Sequence, residues 1–347
     1  MQIRKKVKSY KNHKTEDSGF ERSLNLFCLK TFVKLRMQKF NTRLAIVFIP
    51  CLALLAACNP SGDNQSKSTA VLDTVSLSSK SFALAYQDGN KIVATSIDTM
   101  KQISFGGAAD PAISPDGNKL AYTVADSTGN RSIWVADLEN KSQLQLQANG
   151  KNYYGAVWSP DGNTIAFSVL NDKSIWKVGL IKADNTGLAV LGGKSNVAFS
   201  SPAWKSAHEI VAHDLENLYT FDLSGKITNT QSLAGLIGAD YHIASDNTFF
   251  YTKDSKTLVF SAYAGAAVPE LKGQVNSVFA MDLVSKVVKR ISPEGMYVSY
   301  LFVTADDRIF YSGEEKPYTQ SKIYVSDPDG NIKTIVDKGK NPTGALK

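Results

Sequence analysis

The chain has 347 residues and a formal charge of +7, with 39 Lys or Arg against 32 Asp or Glu. The first 57 residues hold 12 of the basic and 3 of the acidic side chains, which leaves 27 against 29 in the rest. A basic nucleic-acid binder is therefore excluded, because the folded region lacks the surplus charge that neutralises phosphates.

In chain order, residues 1–36 read as an upstream extension, and Met37 starts a leader of ordinary length. Lys39 and Arg43 precede an apolar run from Leu44 to Leu55. That run is shorter than the roughly 20 residues of a bilayer span, and its charged start and small-residue end describe a signal peptide over 37–57. Leu55-Ala56-Ala57-Cys58 resembles the bacterial lipobox, in which cleavage precedes a diacylated Cys. The resemblance implies lipidation at Cys58 and anchoring in the cell envelope. By resemblance to enterobacterial sorting, Asn59 after the Cys implies the outer membrane, facing the periplasm or the cell surface. Two acyl chains give the stable attachment that one chain does not. Cys28 and Cys51 fall in the leader, so the mature chain has no thiol for a disulfide, a Cys-based metal site or a nucleophile. Residues 58–70 are polar and without apolar period, as in a tether.

Residues 71–340 repeat. Ile113-Ser114-Pro115-Asp116-Gly117-Asn118-Lys119-Leu120-Ala121-Tyr122 returns 45 residues later as Trp158-Ser159-Pro160-Asp161-Gly162-Asn163-Thr164-Ile165-Ala166-Phe167. A weaker copy starts at Trp204 and includes Ile210-Val211-Ala212. Within one unit, Ala156 to Ser159 turns through Pro-Asp-Gly-Asn into a second strand, Thr164 to Val169. Pro presets φ for that turn and Gly accepts a positive φ. Ser174 to Leu180 gives a third strand and Leu188 to Leu191 an outer fourth. An aliphatic-aromatic pair tracks the repeat at Ile133-Trp134, Ile175-Trp176, Leu218-Tyr219, Val278-Phe279 and Ile323-Tyr324, and Ile92-Val93, without the aromatic, begins a weaker sixth copy. Asp137, Asp222, Asp282 and Asp327 follow four of these aromatics by three residues, while Gly179 takes that place after Trp176. Six copies predict an all-β, six-bladed β-propeller. Val71 to Leu77 is the expected inner strand of blade one, and 341–347 a C-terminal tail.

These residues resemble the repeat of the TolB-like propellers, which join a Trp-Ser-Pro-Asp-Gly turn to Ile-Ala-Phe and then to an aliphatic-aromatic pair. The resemblance implies the fold and is nearly silent on function. TolB proteins carry an α/β domain ahead of the propeller where only a tether is read here.

Catalytic signatures are scarce. There is no Gly-x-Ser-x-Gly elbow, P-loop, dinucleotide fingerprint or paired-Cys zinc pattern, and no cofactor is implied. Asp116 and Asp161 read as turn formers. Trp134, Trp158, Trp176 and Trp204 read as packing between blades rather than as a sugar platform. His208, His213 and His242 are the histidines beyond the leader and the one metal alternative, although His208 and His213 belong to opposite ends of a blade. The interval of 60 residues between Leu218 and Val278 exceeds its neighbours, and Lys253 to Asn276 reads as an inserted loop. Its apolar stretch offers Phe260, Tyr263, Val268 and Pro269 as a partner-contact site, with Tyr318 of the adjacent blade on the same face. The expected activity is non-catalytic binding or scaffolding of an envelope protein or glycan. A polysaccharide lyase using the propeller channel is the alternative.

Overall fold

The computed structural model describes residues 83–96, 102–148, 152–193 and 195–345. Residues 37–57 and 58–70, read above as signal peptide and tether, lie outside the described residues, as do Cys58 and Val71 to Leu77.

Six four-stranded antiparallel sheets form the six blades of a propeller. Blade one contains β1 (Leu84–Asp88), β2 (Lys91–Thr95) and β3 (Gln102–Gly106). Blade two runs through β4 (Ala108–Ile113), β5 (Lys119–Ala125), β6 (Arg131–Asp137) and β7 (Gln143–Gln145). Blade three holds β8 (Tyr153–Trp158), β9 (Thr164–Leu170), β10 (Trp176–Lys182) and β11 (Ala189–Leu191). Blade four has β12 (Ser200–Ser206), β13 (Glu209–His213), β14 (Asn217–Asp222) and β15 (Ile227–Ser232), followed by the short helix α1 (Leu233–Ile237). Blade five comprises β16 (Phe249–Tyr251), β17 (Thr257–Val268), β18 (Gly273–Asp282) and β19 (Val288–Arg290). Blade six comprises β20 (Tyr297–Val303), β21 (Ile309–Glu314), β22 (Lys322–Ser326) and β23 (Ile332–Val336).

Ring closure departs from expectation. The inner position of blade one is filled by β24 (Lys340–Gly344), which pairs antiparallel with β1. Residues 341–344 are thus a structural strand, not part of a tail. Three bonds lock it in place. Ile113 N donates to Thr343 Oγ1 (3.1 Å), Ala345 N to the Ala83 carbonyl (3.0 Å), and Arg308 Nη2 to the Ala345 carbonyl (2.6 Å). One C-terminal segment therefore ties blades six, one and two together.

Burial follows position in the blade. The second strand β9 is buried along its five central residues, whereas every residue of the outer strand β15 is exposed. A second strand is covered on both faces by neighbouring blades, so it reads as a continuous apolar run rather than an alternation. Trp158 and Trp204 cross between blades. Their indole Nε1 groups donate to the carbonyls of Ala112 (2.7 Å) and Val157 (3.0 Å) of the preceding blade.

The cross-strand register corrects one repeat assignment. Tyr122 faces Trp134 in blade two, and its counterpart Phe167 faces Gly179 in blade three. The equivalent of Ile133-Trp134 is therefore Val178-Gly179, not Ile175-Trp176. A Cβ on Gly179 would meet the Phe167 ring at 2.4 Å, so glycine is required where that ring lies on the strand. Trp176 moves to the start of β10, equivalent to Arg131.

The long interval before Val278 contains no further blade. Its extra length divides between α1 with the segment 238–248 and a prolonged β17–β18 hairpin closed by a 3-10 turn, Pro269–Leu271. Lys253 to Asn276 is thus mostly strand. Phe260 is fully buried in the core, stacked on Phe249 and Phe279 and equivalent to Tyr122 and Phe167, so it is not a contact residue.

Candidate functional site

Each inner strand runs from the face where blades connect to the face of the Ser-Pro-Asp-Gly turns. The turn face is built by one device used repeatedly. Ser114 donates its hydroxyl to Asp116 Oδ1 (2.5 Å), which also accepts from Asn118 N (3.1 Å), while Lys119 N donates to Ser114 Oγ (2.8 Å). Ser159, Asp161, Asn163 and Thr164 reproduce the set at 2.5, 3.1 and 2.9 Å. Thr252 with Asp254 (2.8 Å) and Thr304 with Asp306 (2.5 Å) are the copies in blades five and six. The Ser159 hydroxyl, opposed by burial and supported by the Asn163 backbone and side-chain amides, holds the Asp161 carboxyl below the usual carboxylate range. These carboxylates are spent on turns.

The opposite mouth differs. Four residues before Ser114, Ser159, Lys205, Thr252, Thr304 and Ala345, each blade places one residue at the connection end: Asp110, Gly155, Ser201, Thr248, Tyr300 and Asn341. All six line one cavity of about 340 Å³. Four of them have left-handed backbones, with φ of 50° at Asp110, 67° at Gly155, 50° at Ser201 and 50° at Asn341. Each of these four sits in a β-bulge between inner and second strands. Left-handed backbone costs a non-glycine residue of order 1 kcal/mol, least for Asn and Asp, and such strain clusters at functional positions. Pro111, Pro202 and Pro342 follow three of them. Proline is tolerated because an inner strand is an edge whose outward amides have no ladder partner.

Aromatic side chains wall this ring. Tyr154 and Trp176 meet edge to face at 5.2 Å, and the Arg131 guanidinium lies 3.6 Å from the Tyr154 ring centroid. Arg131 Nε also donates to Asn152 Oδ1 (3.0 Å). Burial pushes the Asp110 carboxyl up, partly offset by the nearby Thr123 hydroxyl and Arg131 guanidinium. Burial also raises the Tyr300 phenol, so it stays protonated and able to donate. Asn341 Nδ2 lies 3.5 Å from Asp110 Oδ1.

The residues singled out from the sequence are scattered around this mouth. Tyr263 is half-buried, exchanges backbone hydrogen bonds with His242, and has its hydroxyl pushed up to about 12, first by burial and then by Tyr297 and Asp246. Val268 and Pro269 form the tip of the β17–β18 hairpin, and Tyr318 (84% exposed) lies in the β21–β22 loop. These tips share the connection face with the mouth, but none of them lines its cavity.

The histidines are not brought together. His208 is exposed in the β12–β13 turn and His242 is exposed in the segment before β16. His213 is fully buried at the end of β13, where Nε2 hydrogen-bonds the Asn247 carbonyl (2.9 Å) and Nδ1 accepts from Leu215 N (3.3 Å). Burial lowers its affinity for a proton. Asn247 then bonds Ser261 (3.1 Å) and Asn276 (2.9 Å), and Asn276 reaches the Val298 carbonyl (2.9 Å). This buried chain joins blades four, five and six beneath the connection face. Among the described residues no group of three or more His, Cys, Asp or Glu is placed to hold a metal ion.

Sequence reasoning missed the six-residue ring, although its signal is present. The ring residue stands four positions before Ser114, Ser159 and Lys205, and Asp110-Pro111-Ala112, Ser201-Pro202-Ala203 and Asn341-Pro342-Thr343 are recognisably one motif. The third of these also marks the strand that closes the ring.

No known family model matches the chain. Among solved structures it is similar to TolB from Acinetobacter baumannii, at 14% identity over 77% of this chain and 67% of that one, with a TM-score of 0.57. It is similar to a TolB-type protein of Agrobacterium tumefaciens at 14% identity over 76% of this chain and 94% of that one, with a TM-score of 0.52. The β-propeller domain of the Trilobed protease from Pyrococcus furiosus follows at 17% identity over 74% of this chain and 85% of that one, with a TM-score of 0.46. Identities this low speak to architecture alone, and the architecture is a six-bladed propeller with a TolB-like fold.

Proposed function

We propose that this chain is a lipid-anchored, non-catalytic propeller that binds or scaffolds a protein or glycan of the bacterial cell envelope. Its contact region is the ring-lined mouth with the loops around it. The observation that carries this reading is the ring itself: six equivalent backbone positions, four of them left-handed, line one cavity beside a fixed aromatic wall, and five of them present different polar side chains while Gly155 leaves its place open. Rigid strands position these groups, as a binding site requires. Anchoring rests on the leader and the Leu-Ala-Ala-Cys58 motif. No helix among the described residues is long and apolar enough to cross a membrane.

The test is a crosslinking pull-down from intact cells with tagged full-length chain and a Cys58→Ala control, analysing bound proteins and glycans. A discrete envelope protein or glycan recovered with the parent and lost with Cys58→Ala is the expected result. Chelator-sensitive cleavage of uronic-acid polymers would replace binding by catalysis.

A further inference from the structure

We infer that the ring-lined mouth is a site for a neutral sugar residue, held by hydrogen bonds from the ring and by stacking on Tyr154 and Trp176. This rests on the binding reading above and specifies its ligand class.

Size comes first. A cavity of about 340 Å³ lies at the lower end of the range that holds small ligands, enough for one or two sugar rings.

The walls are prepared. Tyr154 and Trp176 are held edge to face, with Arg131 stacked on Tyr154 and tied to Asn152. Aromatic faces fixed before binding accept the apolar C–H face of a sugar with little loss of side-chain freedom.

The ring supplies the matching polar edge. Ser201, Thr248, Tyr300 and Asn341 each carry a group that can both donate and accept, as sugar hydroxyls do. A buried hydroxyl without a partner is costly, and the Thr248 Oγ1 is buried with none.

Charge selects among sugars. Asp110 and Asp246 are the charged side chains of the lining, and the cation beside it, Arg131, is engaged by the Tyr154 ring and Asn152, so the lining keeps a net negative charge. Carboxylates accept strongly from neutral hydroxyls but repel a second anion at short range. Uronates, phosphates and sulfates are thereby disfavoured. A bare cationic ligand would satisfy the carboxylates and leave the ring of hydroxyl and amide groups unused.

The experiment is a tryptophan-fluorescence titration of the full-length protein with chitotriose, maltotriose, trigalacturonate and trilysine. A saturable response to at least one neutral trisaccharide is expected, with trigalacturonate roughly tenfold weaker or worse. Asp110→Asn keeps a residue that tolerates the left-handed backbone, so the fold is retained. It should weaken the neutral ligand roughly tenfold and narrow the discrimination against trigalacturonate. Trp176→Phe should remove the spectral response while calorimetry still detects binding.

Failure of both neutral trisaccharides, or equal binding of trigalacturonate, overturns the inference. A response to trilysine alone reassigns the mouth to a cationic peptide and overturns it as well. If no sugar binds while the pull-down still captures an envelope protein, the sugar assignment falls and the binding reading stands.

Discussion

The two ends of the propeller are made from the same strands and obey different rules. At the turn face, Ser or Thr two residues before Asp closes the turns of blades two, three, five and six with nearly identical bonds. At the connection face, the equivalent position of each blade carries a different residue, the link 238–248 packs on blades four and five, and one hairpin outgrows the rest. Repetition marks the end that builds the fold. Divergence on an equally rigid frame marks the end free to acquire a ligand.

The largest effect is expected at Phe260, which continues the second-strand repeat of Tyr122 and Phe167 despite lying in the stretch that reads as a loop. Phe260→Ala should cost about 3–5 kcal/mol in denaturant unfolding, and deleting Lys253 to Asn276 should abolish folding. A loss below about 1 kcal/mol would mean that blade five is not packed as described. Next comes Trp158→Phe, which leaves the Ala112 carbonyl without its indole donor between blades and should cost about 1–3 kcal/mol.

His213 sharpens the contrast through pH. Burial depresses its folded pKa below the ordinary 6.5, so it contributes stability above that value. The contribution is lost as pH falls from about 6.5 towards the lowered folded value. Thermal stability should decline over that window in the parent and less in His213→Gln; parallel profiles would refute the assignment.

Asp161 offers the corresponding test at the turn face. Its folded pKa is also lowered, chiefly by the Ser159 hydroxyl, so its contribution is full above the unfolded value near 3.8 and disappears in stronger acid. Asp161→Ala should cost about 0.5–1.5 kcal/mol at neutral pH in a urea titration, with parent and variant converging at low pH.

The smallest effect on stability is expected at the hairpin tip. Replacing 265–272 with a two-residue turn should change unfolding by less than about 0.5 kcal/mol, because that tip is largely exposed. The same variant should reduce partner capture if the tips contribute to the contact face. Unchanged capture would confine the contact to the mouth.

Much of the fold was legible in the chain because a propeller writes itself repeatedly. Ser-Pro-Asp-Gly at two positions 45 residues apart, and the aliphatic-aromatic pairs, were enough to predict six four-stranded blades. Where reading failed, spacing without register was the cause. Ile175-Trp176 looks like Ile133-Trp134, yet Phe167 lies over Gly179 and shifts the true equivalent by three residues. Thr252-Lys253-Asp254 carries the turn chemistry without proline or glycine, so the strand that holds Phe260 reads as an insertion.

By itself, the sequence determined the repeat, the turn chemistry and the buried second strands, because each depends on residues close together along the chain. Tertiary structure alone decided what gathers across blades: the closing strand at Lys340–Gly344, the chain from His213 through Asn247 to Asn276, and the ring from Asp110 to Asn341. Those residues lie tens to hundreds of positions apart. Only closure of the ring brings them together, because no blade can cover its own faces and each must stack on its neighbours.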